Sequence, residues 1–202
     1  MSPHGHLVVG ATLSLAWAAA FVVGVDRAAL YPTLGVVAAV VVVVVVRLAP
    51  TLRSAPWSPG RAALFGLVVG VGSVVATHVG DRLLAPLLPG LGDDIARLQH
   101  LAAVTASRLA VVVLIALAEE LLWRGLILDA LRQLGMRAPV AVGVAALVYA
   151  ASQLGPRSPW LVVAAFGCGL LWGALRWRIG LPAAVAAHLV WTLAILGLVP
   201  LR

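Results

Sequence analysis

Seven apolar runs dominate this chain and leave it no water-soluble fold. They lie near residues 7–25, 30–46, 62–79, 109–131, 138–154, 160–175 and 181–199, and arginine, proline or glycine separates them. A hydrocarbon core ~30 Å thick takes about 20 such residues per helix. Composition agrees: 63% of the residues are hydrophobic, 10% are charged and the mean hydropathy is +1.10, against roughly 45–50% and 25% in soluble domains. The expected fold is an all-α, polytopic membrane helix bundle of about seven to eight transmembrane helices, forming a single integral membrane domain over residues 1–202. The first run, Leu7 to Val25, reads as a retained span.

The long connection from Gly80 to Arg108 holds Pro86, Pro89 and Gly90, then Asp93 and Asp94 ahead of Ile95, Leu98 and Leu101 at helical spacing. This pattern predicts an interfacial helix with the aspartates at its positive N-terminal end. The formal charge of +7 is spread one to three arginines per connection, which suits topology signals and excludes a nucleic-acid face. Arg47, Arg53, Arg61, Arg132, Arg137, Arg176 and Arg178 fall on one side. Arg27, Arg82, Arg97, Arg108, Arg157 and Arg202 fall on the other. A margin of one only slightly favours a cytoplasmic N-terminus. All basic residues are arginine and valine runs unbroken from Val41 to Val46, a GC-rich coding bias that points to a multi-pass protein of a bacterial inner membrane. Cys168, the single cysteine, reads as helix packing.

Against this apolar background Glu119, Glu120 and Arg124 stand out. Glu119 follows Arg108 by eleven residues, which is ~16 Å of helix and about half of the hydrocarbon core. A charge at that depth costs about 2.5–3.5 kcal/mol on insertion scales, so three in six positions require a compensating role. Glu120 and Arg124 share a helix face and can pair. Glu119 is rotated by about 100° from that face, which leaves it as the carboxylate for proton transfer. The competing reading is one buried network that only fixes helix packing.

His188 is the one titratable residue of the run from Ala183 to Leu196, and in lipid such a residue favours an acid/base or ligand role. Thr192 shares its face and can bond the imidazole or a water, or serve a helix contact. Gln153, one turn after Tyr149, can hold a water or carbonyl, or cap a helix end. His4, His6, His78 and His100 read as solvated or interfacial, Trp57, Trp160 and Trp177 as belt anchors, and Asp129 and Arg132 as charges where the fourth span exits.

The second half of the chain, about residues 100–200, resembles the CPBP family: bacterial CAAX-protease and bacteriocin-processing (abortive-infection) membrane proteins related to type II CAAX prenyl endopeptidases. Glu119, Glu120, Arg124 and Gly125 look like its first motif. Tyr149 and Gln153 fall where the second has an aromatic residue and, four later, histidine. His188 and Thr192 fall where the third has histidine and, four later, asparagine or aspartate. Residues 1–80 match only as apolar spans.

The resemblance implies a glutamic-type intramembrane endopeptidase with its site inside the bilayer. Glu119 becomes the general base, Glu120 and Arg124 the supporting pair, and Gln153, His188 and Thr192 line the water and oxyanion side. The expected activity is cleavage near the C-terminus or membrane segment of a protein or peptide substrate that enters from the lipid bilayer, such as an exported protein's sorting tail. A catalytically silent, peptide-binding relative of bacteriocin-immunity type is the alternative, and a small proton-coupled transporter is the third. No cofactor is implied. Zinc is disfavoured, because one motif histidine remains where a catalytic site takes about three protein ligands.

Overall fold

The computed structural model describes residues 1–26, 28–48 and 56–201, and among them every regular element is helical. The helices are α1 (Pro3–Asp26), α2 (Leu30–Leu48), α3 (Pro59–Leu84), α4 (Leu91–Leu101), α5 (Ala106–Gln133), α6 (Ala138–Ser152), α7 (Pro159–Arg178) and α8 (Leu181–Leu198). Each apolar run has become a helix. Proline near the first position starts α3, α6, α7 and α8, where the missing N–H costs no helical bond. Between α7 and α8 the chain turns in two residues, and Gly180 takes φ 135°, a conformation that side-chain-bearing residues rarely adopt.

The outer surface is apolar. Val36, Val43, Leu64, Val68, Leu147 and Val163 are all exposed, as expected of side chains that meet lipid tails. By length and composition α1, α2, α3, α7 and α8 can each cross a membrane, and α4 with α5 makes a sixth candidate bent by 72° at its break. The expectation of seven to eight full spans therefore needs one adjustment. Helix α6 has 15 residues, ~22 Å of helix against a ~30 Å core. It stops inside the bundle because Ser152 and Gln153 turn to local partners: the Gln153 backbone N–H donates to the Ala150 carbonyl (3.0 Å) and the Ser152 hydroxyl to the Tyr149 carbonyl (2.6 Å). Its end is thus free to offer the Gln153 side chain inward.

Helix α4 is amphipathic, as its spacing predicts. Asp94 in its first turn pairs with Arg97 (2.5 Å) and accepts a hydrogen bond from Ser158, which also caps α7. Tyr31 of α2 donates to the Ala102 carbonyl just after α4 (2.5 Å). These contacts lay α4 across the mouth between α2, α5 and α8.

Three polar expectations are corrected. His6 is buried, with Nε2 3.0 Å from the Leu48 carbonyl, so it ties α1 to the end of α2 and is not solvated. Asp129 is not a simple exit charge, because it pairs with Arg176 at 2.6 Å. Arg176 is buried within α7 and drops out of the connection arginines, which removes the margin on which orientation rested. Arg27, Arg53 and Arg202, used in the same comparison, lie outside the described residues.

Candidate active site

The glutamates sit where α5 changes register. Leu109–Glu119 is α-helical, Glu120–Ile127 is π-helical and Leu128–Gln133 is α-helical again. Such widened stretches occur often at functional sites. Glu120 and Arg124 still meet, Oε1 to Nη1 at 3.1 Å, with exposures of 0% and 2%. That contact is an ion pair lacking hydrogen-bond alignment. Ring faces complete the cation's surroundings: the Arg124 guanidinium lies 4.3 Å from the Tyr149 ring centroid and 5.3 Å from that of Trp172. Two desolvated charges held this way are stable mainly as a pair, since removing either would strand the other.

His188 joins both glutamates. Its Nδ1 lies 2.8 Å from Glu120 Oε1 and its Nε2 3.4 Å from Glu119 Oε2. A carboxylate can only accept, so the Nδ1 hydrogen is assigned toward Glu120 and Nε2 faces Glu119. Trp172 stacks on the imidazole at 4.0 Å and 17°, fixing the ring plane. Glu119 is further bonded by the Gln153 amide at Oε1 (3.2 Å) and the Tyr149 hydroxyl at Oε2 (3.4 Å).

A cavity of about 150 Å³ opens in front of this cluster, lined by Glu119, His188, Gln153, Tyr149 and Thr192 and otherwise mainly by apolar side chains. It has room for several waters. Glu120 and Arg124 are absent from its lining, so the division inferred from their spacing has a structural counterpart, one glutamate at the cavity and the other behind it. A second cavity, about 580 Å³, shares Leu30, Tyr31 and Leu101 with the first and is also lined by His100, Ser107 and Arg108.

All six residues singled out from sequence, Glu119, Glu120, Arg124, Gln153, His188 and Thr192, converge here. One expected bond is replaced: the glutamates engage both imidazole nitrogens, so Thr192 lines the cavity without serving as the partner of His188. Trp172 and Arg176 were missed. Trp172 had a faint signal, because it precedes Gly180 by eight residues and His188 follows it by eight, mirror positions on a helical hairpin. Arg176 had none beyond its charge.

The fold and this cluster define a class, a multi-pass helical membrane protein with a carboxylate–histidine site buried in its bundle. A family model described as type II CAAX prenyl endopeptidase Rce1-like matches residues 101–194, the segment from the end of α4 to the π-helical end of α8. This match falls on the same half of the chain as the three motifs and supports the family assignment that they suggest. No curated protein and no solved structure matches the chain.

Proposed function

We propose that the chain is an intramembrane endopeptidase of glutamic type, acting in a bacterial cytoplasmic membrane on the C-terminal tail or membrane segment of an exported protein or peptide. The observation that carries this reading is the placement of Glu119 and His188, 3.4 Å apart, at the polar end of an otherwise apolar cavity. A water ~2.8 Å from each can be hydrogen-bonded by both. As its oxygen attacks the peptide carbonyl, its proton passes to the Glu119–His188 pair and the carbonyl becomes a tetrahedral oxyanion. Collapse breaks the C–N bond, and the pair returns the proton to the departing amine. Glu120 and Arg124 offset each other's charge, and Glu120 keeps His188 oriented. The apolar walls exclude bulk water, which strengthens each of these interactions.

Gln153 cannot be a base, but its amide can orient Glu119 and donate to the developing oxyanion. Gln153→Ala is expected to lower the cleavage rate at saturating substrate roughly 10²-fold, the usual effect of one oxyanion donor, with substrate affinity little changed. Single-turnover cleavage in proteoliposomes checks this; an unchanged rate assigns Gln153 to packing.

Gln153, in place of the family's histidine, also favours the second reading, a relative that binds peptides without cleaving them. The purified protein is reconstituted with exported proteins encoded near it, and products are identified by mass spectrometry. A new C-terminus cut near the tail or membrane segment supports hydrolysis. Saturable binding with every substrate left intact overturns it for the silent reading.

A further inference from the structure

We propose that Arg176 and Asp129, outside the cavity, form a clamp that sets the π-helical stretch in the register that carries the site; this rests on the hydrolytic reading. Arg176 Nη2 lies 2.6 Å from Asp129 Oδ2, and its Nε donates to the backbone carbonyl of Arg124 at 3.2 Å. Both contacts join α7 to α5, one to each side of the point where the π-helical turns end. Where a π stretch returns to α-helix, the hydrogen-bond ladder changes step, and a side-chain donor at that point favours one register.

The clamp leads directly to the reacting groups. The carbonyl held by Arg176 belongs to Arg124, whose guanidinium pairs with Glu120 at 3.1 Å, and Glu120 in turn holds His188 Nδ1 at 2.8 Å. Trp172, one turn before Arg176 on α7, stacks on that imidazole. One face of α7 thus fixes the histidine twice, by stacking and through the backbone of α5. Arg176 does not line the cavity in front of Glu119, so it is a positioning residue. The plainer role, an ion pair that only holds α7 to α5, needs the Asp129 contact but not the Arg124 carbonyl bond.

Two variants separate these roles. Arg176→Lys keeps a positive charge for Asp129 and removes the planar donor set that serves the carbonyl and the carboxylate together. The exchange Asp129→Arg with Arg176→Asp restores an ion pair but leaves no donor at position 176. Melting temperature, kcat and KM for a processed substrate, and the His188 ring resonance in nanodiscs, assigned by its loss in His188→Ala, are measured for both. The expected result is near-native melting for Arg176→Lys, with kcat lowered about tenfold or more, KM within about twofold and a shifted His188 resonance, since a misplacement of ~1 Å can cost 10²-fold. The exchange is expected to recover melting temperature but not kcat. Native kcat and an unmoved resonance in Arg176→Lys, or full recovery of kcat in the exchange, would overturn the clamp. If the native protein cleaves nothing, the hydrolytic reading fails, and the His188 resonance alone decides the clamp.

Discussion

Glu119→Gln is expected to slow cleavage by about 10²–10⁴-fold, the usual contribution of a positioned general base, while leaving the protein folded and able to bind substrate. The amide keeps the shape of the carboxylate and the cavity wall. Glu120 and Arg124 remain paired behind it. His188→Ala should cost a similar factor. The double variant should be little worse than either single one, because groups that hand over one proton act as a unit. Single-turnover rates in proteoliposomes, with binding followed separately, provide the measurement. Cleavage at native speed by Glu119→Gln would end the assignment of Glu119 as base, and full additivity with His188→Ala would show that the two do not work on the same proton.

How far this site could be seen in advance depended on how costly each feature is in a membrane. Charges at mid-bilayer are rare enough that Glu119, Glu120 and Arg124 announced themselves, and His188 did so for the same reason. The helices were equally visible, since apolar length alone specifies them in lipid. What escaped had no such signature. The π-helical register of Glu120–Ile127 carries no hydropathy signature of its own. Arg176 looks like any arginine near a span end until α7 is docked on α5 and its guanidinium meets Asp129. The Gln153 side chain at the end of α6 likewise finds its partner Glu119 only once α6 is docked beside α5. Local propensity and hydropathy find elements and depth; the partner of a buried polar group is settled by which helices touch.

Gly66→Ala is expected to damage the protein although alanine is the better helix former. Helices α3 and α8 approach through Gly66 and Gly70 on one side and Ala183 and Ala187 on the other, each pair four residues apart. Lipid tails give helices no hydrophobic reason to associate, so small residues that permit close packing carry much of the interaction. A Cβ added at Gly66 meets the Ala183 carbonyl oxygen at 2.3 Å and its Cα at 2.8 Å. Those are backbone atoms of a packed helix and cannot rotate away, so α3 and α8 must separate by about 1 Å, a displacement of the size that costs activity ~10²-fold when it reaches a site. Here it does, because Ala187 immediately precedes His188. The stability loss should reach or exceed about 3 kcal/mol, the upper end of ordinary overpacking. Gly72, on the same helix, has nothing within 4 Å of an added Cβ, so Gly72→Ala should be neutral or stabilising by up to ~1 kcal/mol through helix propensity. Thermal unfolding and cleavage rates of the two variants in one detergent make the comparison, and equal behaviour would show that the α3–α8 contact is looser than its geometry and does not hold His188 in place.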